Sequence, residues 1–447
     1  MRQRTHTISV LGLWHLGAVY SAGLAELGHT VFGIDEDISV VKALRQGSPQ
    51  VAEPGLRELI IKNLRKKHLS FTAVLSPISQ SEVVWFTHDT PINERDEADE
   101  SIIFQVLKRI TPLLQDGVLI ALSSQIRVGT SRKIADYIGR VRPELAFNLA
   151  YLPENLQLGQ AMTSFFKPKR IVIGARDART FSRAASLFAP LKTSFVQMTP
   201  ESAEISKHAL NSFLATSLSF IYDIADLCEE TGADVLEVSR ALKSDPRIGP
   251  AAYLDASVGF SGGTLGRDLR ALLKTGRERH LALPVIQGVW NKNQSRTSFL
   301  MRTLRDILGQ VQGKTIGVLG LTYKAGTPTL RRSLSLMMVR ELQRSGAVVR
   351  ATDPGAHAKE VKDANRKIAF SRDGYRMAHG CHALLLLTGW PDFMNLDPRR
   401  LQAVMRKPYL FFDARNLLHQ REGDFRDAGL FYRGVGRGVS GGLYGKG

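Results

Sequence analysis

The 447-residue sequence predicts an α/β protein with two Rossmann-type, doubly wound parallel-sheet domains joined by a helical middle. Three observations predict it. Short apolar strands alternate with helical stretches over the first third, one long apolar helix follows, and the opening order of strand, glycine turn, helix, strand and acid recurs after Lys314.

In the first part, strands are expected over 8–11, 30–34, 83–87 and 118–122, with a further one over 170–174. A helix over 15–27 ends at Gly28, a residue suited to the C′ position. These elements assign residues 1–195 to a first nucleotide-binding domain. A long helix then starts at Thr199, which can cap it, with Pro200 in the first turn and Glu201 favourable to the dipole. It runs to Glu230 before Gly232 stops it. Its apolar residues, among them Ile205, Leu210, Phe213, Phe220 and Leu227, cover most of the circumference. A helix of that kind is expected to be buried, between domains or against a second copy, so a homodimer is expected. Residues 196–311 form this central domain. From 312 to 432 the second sheet domain follows, with strands over 315–319, 347–352, 383–388 and 409–413, a glycine-flanked loop over 320–326 and a helix over 334–344. The glycine-rich, basic tail 433–447 is expected to be mobile.

Composition narrows the function. With 43% hydrophobic and 23% charged residues the chain reads as globular, and no apolar run reaches the roughly 20 residues of a membrane span. No signal-peptide core precedes the first strand, so cytoplasmic residence is the default expectation. The net charge of +18 is spread along the chain without a nucleic-acid-binding motif, and suits a small anion such as a nucleotide diphosphate better than DNA or RNA. Two cysteines, Cys228 and Cys381, cannot build a disulfide framework or a metal site, and both read as buried.

Gly12-Leu13-Trp14-His15-Leu16-Gly17 lies between a strand and a helix, where a dinucleotide pyrophosphate would rest on the helix N-terminus. Gly12 suits the tight turn and Gly17 close packing of helix on sheet; Trp14 replaces the middle glycine of the fingerprint. Asp35, at the end of the second strand, can hold an adenosine ribose and repel a 2′-phosphate, which favours NAD over NADP. On the long helix, Lys207 and Asn211 stand four residues apart on one face. An ammonium and an amide aimed at a developing alkoxide are what hydride abstraction from an alcohol requires.

Several ordered stretches resemble the nucleotide-sugar dehydrogenase family, the UDP-glucose and GDP-mannose dehydrogenase type. The most specific is Gly259-Phe260-Ser261-Gly262-Gly263-Thr264-Leu265-Gly266-Arg267-Asp268. With it come Glu53-Pro54-Gly55-Leu56, Thr90-Pro91, Pro153-Glu154-Asn155-Leu156, the helix segment 202–211, Asp245-Pro246-Arg247, and the run of Lys324, Thr327, Arg331 and Ser333. Asp413-Ala414-Arg415-Asn416 completes the set. The resemblance implies NAD-dependent oxidation of a nucleotide-hexose at C6. It implies catalytic roles for Lys207, Asn211, Asp268 and Glu154, and cofactor contacts from Thr90, Gln125 and Arg331. It implies that Tyr253, Ser257, Phe260, Gly262, Lys324 and Arg415 hold the substrate, with Arg247 reaching the sugar bound by a neighbouring subunit.

The sequence also departs from the family. Thr264 stands where the family carries the cysteine that captures the aldehyde as a thioester. A threonine hydroxyl is far less acidic than a thiol of pKa about 8.5 and needs an adjacent base to attack. Leu158 replaces a second carboxylate, Gln125 a threonine, Gly266 and Arg267 a proline and a lysine, and Pro328 and Thr329 two aspartates. Three readings follow: a dehydrogenase of this kind, with or without the covalent step; a nucleotide-sugar-binding chain without turnover; and a dehydrogenase of another hydroxy substrate.

Overall fold

The computed structural model describes residues 4–90, 99–154, 156 and 158–438. The chain divides into two compact units, Met1–Ala209 and Leu210–Gly447.

In the first unit the strands are β1 (Thr7–Leu11), β2 (Thr30–Ile34), β3 (Leu69–Thr72), β4 (Val83–Phe86), β5 (Val118–Leu122), β6 (Phe147–Tyr151), β7 (Arg170–Ala175) and β8 (Ser194–Met198). Its helices are α1 (His15–Glu26), α2 (Ile38–Arg45), α3 (Leu56–Arg65), α4 (Ser101–Ile110), α5 (Thr130–Val141), α6 (Ala161–Phe166) and α7 (Ala178–Ser186). The strands line up as β3-β2-β1-β4-β5-β6-β7-β8. Strand order reverses between β1 and β4, which makes the crevice beyond their carboxyl ends the place where a doubly wound fold takes its ligand. All pairs are parallel except β6 with β7, where Ala150 faces Ala175. The expected strands all form. β3, β6 and β8 lack a sequence signal because they are short and mix polar with apolar residues.

Alternation along β1 explains the two cores. Ile8 and Val10 join Leu13, Trp85 and Phe165 on one face of the sheet, while Leu11 joins Val84, Phe86 and Ile120 on the other. β4 and β5 are buried along their whole length, which accounts for their unbroken apolar sequence.

The long helix α8 spans Pro200–Thr231, begins in the first unit and continues into the second. The Thr199 hydroxyl accepts from the Ser202 N–H at 3.2 Å, and Gly232 ends the helix with a φ of +78°. One expectation fails here: the helix is not buried all round. Phe213, Phe220 and Leu227 are 69%, 49% and 60% exposed, each seven residues from the next. Among the described residues nothing covers this stripe, although the opposite face, with Ala215, Tyr222 and Ala225, is buried.

The second unit adds α9 (Val235–Ser244), α10 (Arg267–Glu278) and α11 (Pro284–Leu308). Then follow β9 (Thr315–Leu319), α12 (Leu334–Arg344), β10 (Val348–Thr352), α13 (Ala358–Ala364), β11 (Ala369–Phe370) and α14 (Gly374–Ala378). β12 (Ala383–Leu386), α15 (Pro398–Val404), β13 (Leu410–Asp413), α16 (Glu422–Asp427) and β14 (Phe431–Gly434) complete it. Its sheet, in the order β11-β10-β9-β12-β13-β14, is parallel throughout.

The expected mobile tail is corrected at its start. Arg433 lies in β14 and pairs with Glu229 at 2.8 Å, the Gly436 N–H donates to the same carboxylate at 2.7 Å, and Arg437 pairs with Asp234 at 2.9 Å. Partly buried carboxylates on and just after α8 therefore anchor the basic residues, a pairing that sequence spacing does not reveal. The rest of the tail, 439–447, lies outside the described residues.

Candidate functional site

In the first unit, Gly12 turns the chain out of β1 with a φ of +88°. A side chain there would be strained, and its Cβ would stand 2.8 Å from the His88 ring. Gly17 lets α1 press on this turn: a Cβ would sit 1.9 Å from the Gly12 carbonyl oxygen. The Thr87 hydroxyl closes the packing by donating to Leu11 and Gly12 carbonyls at 3.0 and 2.8 Å. Asp35 stands beside the turn, accepting from the Leu13 N–H at 2.7 Å and the Asp37 N–H at 3.0 Å, with capacity left on each oxygen. Trp14, at the cap of α1, is 48% exposed, so its bulk lies outward rather than filling the turn. The cradle that a Cβ would fill, the helix N-terminus and the acid fit a dinucleotide. Thr90 and Gln125 come together across the sheet end, the Thr90 hydroxyl donating to the Gln125 carbonyl at 2.9 Å. Pro91 lies outside the described residues, as does Asn155.

Lys207, in the first turns of α8, meets Glu154. Its Nζ donates to the Glu154 carbonyl oxygen and stands 3.8 Å from that residue's carboxylate. The loop carrying Glu154 is tied down by Glu53, a carboxylate with no exposed side chain. Glu53 accepts from the Gly159 and Ala161 N–H groups at 2.8 and 3.0 Å and meets His15 Nε2 at 2.8 Å. One buried anion thus joins the start of α1, beside the glycine turn, to the loop that presents Glu154.

In the second unit, the segment from Ser257 to Ser261 is held from several sides. The Asn293 side chain on α11 bonds both the N–H and the carbonyl of Phe260, at 2.9 and 3.0 Å. Ser257 meets Tyr222 at 3.1 Å, and its carbonyl accepts from Arg296 at 3.1 Å. Arg296 is wholly buried, paired with Asp226 at 2.5 Å and stacked on Phe299 at 4.0 Å. Burial raises the Tyr222 pKa, opposed by the Ser257 hydrogen bond and the charges of Arg415 and Arg296. Gly262–Gly266 then makes one turn of π-helix, a rare form that recurs at functional sites, before α10 begins. Thr264 is exposed on that turn, and Asp268 is fully buried, accepting from the Asn211 amide. The structure thus brings Asn211 and Asp268 together.

The Tyr323 hydroxyl reaches Thr264 Oγ1 at 3.4 Å, and the Leu334 N–H donates to Ser261 at 3.2 Å. These two bonds close the loop bearing Lys324 and Arg331 on the loop of Phe260 and Gly262. Lys324, Arg331 and Arg415 are exposed; the Arg415 N–H is fixed by Asp413 at 3.0 Å. Tyr253 is exposed, and Arg247 points to solvent, held by Asp245 at 2.7 Å. The geometry brings neither of them to Thr264.

Both thiols are out of the chemistry. Cys228 and Cys381 are buried, and burial raises both pKa values, that of Cys381 to about 11. Sequence reading passed over Glu53 as a tie, His88, Asn293 and Tyr323. Glu53 and Tyr323 stood in recognised stretches, though without these roles; His88 and Asn293 carry no local pattern, because what makes them matter is contact across the fold.

The chain matches the sequence models of three domains of the UDP-glucose/GDP-mannose dehydrogenase family: the NAD binding domain over residues 6–192, the central domain over 201–295 and the UDP binding domain over 317–420. It is 32% identical to the UDP-glucose 6-dehydrogenase of Pseudomonas aeruginosa, covering 96% of this chain and 97% of that protein. It is 31% identical to UDP-glucose 6-dehydrogenase TuaD of Bacillus subtilis, covering 96% and 93%. The structure of a UDP-glucose dehydrogenase from Pyrobaculum islandicum superposes with a TM-score of 0.88 at 29% identity, covering 97% and 98%.

Proposed function

The chain belongs to the UDP-glucose/GDP-mannose dehydrogenase family, and from that premise we propose that it oxidises the C6 alcohol of a UDP-hexose, UDP-glucose first among them, with NAD. The observation that carries the chemistry is Lys207, about one helical turn from Asn211 on α8 and fixed by Glu154 through carbonyl and carboxylate.

NAD, when bound, accepts the hydride that leaves C6, while the hydroxyl proton must pass to the protein. The Lys207 ammonium stabilises the negative charge developing on the sugar oxygen. Asn211 adds an amide donor, and buried Asp268 fixes that amide's orientation. Glu154 keeps Lys207 in place, and its carboxylate can relay the proton. Gly12, Gly17, Trp14, Asp35, Thr90, Gln125 and Arg331 serve the dinucleotide. Lys324 and Arg415 answer the diphosphate, and Ser257, Phe260 and Gly262 shape the sugar loop. Tyr253 and, from a second copy, Arg247 complete that site. In this reading residues 1–195, 196–311 and 312–432 are the NAD, central and UDP-sugar domains.

At Thr264 the only hydroxyl contact among the described residues is Tyr323, which donates its proton rather than removing one. The covalent capture of an aldehyde therefore lacks an activated nucleophile, and the reaction ends at the aldehyde or proceeds through its hydrate. The same observation favours a second reading, a chain that binds UDP-sugar without turnover. Incubation with NAD and UDP-glucose separates the two: one NADH per sugar with an aldehyde product, or two with an acid by the hydrate route, is expected, whereas UDP-glucose-dependent thermal stabilisation without NADH would leave the binding role alone. Thr264→Cys is expected to raise the yield to two NADH and an acid; an unchanged product would overturn this account of the loop.

The Phe213, Phe220 and Leu227 stripe is the surface by which two copies pair as a homodimer. Sedimentation should give a dimer for the native chain and a monomer for Phe213→Asp with Phe220→Asp.

A further inference from the structure

The two sheets share a local plan, and a difference between them singles out His88. Gly12 follows β1 and Gly320 follows β9, both with positive φ, and their N–H groups donate to the last residues of β2 and β10 at 2.9 and 2.8 Å. At each turn the missing Cβ makes room for the residue two beyond the neighbouring strand, His88 after β4 and Thr388 after β12. Thr388 is satisfied within the protein: its hydroxyl donates to the Thr322 carbonyl at 2.9 Å and meets Ser335 at 3.2 Å. His88 has no such partner among the described residues. Its Nδ1 is shut away from solvent without a hydrogen bond, although it lies at the point where strand order reverses.

Imidazole rings turned by half a revolution about χ2 fill nearly the same space. In the turned position a nitrogen takes the place of Cδ2, the ring atom 2.8 Å from where a Gly12 Cβ would stand, directly over the glycine turn. That is also where the fingerprint has lost an approach of backbone to phosphate, since Trp14 replaces its middle glycine. An unpaired buried ring nitrogen is destabilising, a cost that a ligand removes by pairing with it.

We infer that His88 is a cofactor-binding residue, its imidazole donating a hydrogen bond to the pyrophosphate of the bound dinucleotide. This rests on the NAD-dependent reading above. It differs from a packing role in what it predicts, because leucine keeps the volume and loses the donor, whereas glutamine keeps a donor. Burial holds His88 neutral at pH 7, with a pKa lowered to about 4, so the ring acts as a hydrogen-bond donor and not as a cation.

Calorimetric titration of the full chain with NAD tests it. His88→Leu is expected to weaken NAD binding about tenfold, the loss of one hydrogen bond to a charged acceptor. His88→Gln should recover most of that loss, and the affinity for UDP should stay the same in all three proteins. His88→Leu binding within twofold of the native chain would overturn the assignment alone; a native chain that binds no NAD would overturn it together with the reading it rests on. Should the leucine variant fail to fold, ¹⁵N-histidine spectra of the native chain decide. The resonance missing from His88→Gln must move on NAD addition, and one that stays still counts against the contact.

Discussion

The amino-terminal nucleotide turn and its carboxy-terminal echo use one backbone plan for two ends. After β2 stands Asp35, and after β10 stands Asp353. Asp35 accepts two backbone N–H groups and remains half-buried. Asp353 is buried and accepts from the Leu321, Thr322, Gly355 and Ala356 N–H groups, the Thr322 hydroxyl and the Trp390 indole, all between 2.7 and 3.2 Å. The Trp390 ring packs where a Cβ on Gly355 would be, 2.6 Å away, so the corner that would receive a ribose in the first sheet is filled by an indole in the second. The acid proposed to read a ligand in one half is a structural clamp in the other. The strand order that the two sheets share over six strands therefore does not tell the two turns apart; the saturation of the acid does.

The largest effect expected on this contrast comes from Lys207→Ala, which should lower turnover with UDP-glucose by about 10³-fold while leaving the affinities for NAD and UDP within a fewfold. A variant retaining a tenth of native activity would move the chemistry away from α8. Next come the paired acids. Asp353→Asn is expected to cost roughly 3 kcal/mol of folding free energy, read by denaturant titration, because it unbalances a buried, fully bonded carboxylate. Asp35→Asn should cost about 1 kcal/mol or less, yet weaken NAD binding and relax discrimination against NADP. Equal destabilisation by the two would erase the distinction between clamp and reader.

The smallest effect concerns pH. His88 has a pKa lowered from 6.5 to about 4 by burial, against the opposing charge of Asp35, while its counterpart Thr388 does not titrate. Above pH 6.5 the imidazole is neutral whether the chain is folded or not. Between about pH 6.5 and 4 the unfolded chain binds a proton that the folded one refuses, so stability falls as pH falls through that window. Thermal unfolding at pH 7 and 5 should show the native chain losing more stability than His88→Leu. Parallel losses would mean that the ring is accessible to protons in the folded protein.

Much of the architecture was legible because its signals are local. The central strands of each sheet are apolar runs bounded by turn residues, and the glycine turns, the Thr199 cap and the Gly232 stop are read from single positions. The antiparallel β7 was not legible, since a strand carries no mark of its partner's direction. The anchoring of Arg433 and Arg437 depends on Glu229 and Asp234, some 200 residues away, and a glycine-rich composition around them points the other way. At the site, Lys207 and Glu154 do meet, as do Asn211 and Asp268, but His88 and Asn293 gain their meaning only from what lies across from them. Exposure of Phe213 and Phe220 likewise follows from what a lone chain leaves uncovered, and helical periodicity cannot supply it.

The burial of both sulfhydryls has a practical corollary. Alkylating agents attack accessible thiolates. This chain, with Cys228 and Cys381 both sequestered, offers such reagents no accessible thiol among the described residues, and should keep whatever reaction it performs through thiol-directed alkylation.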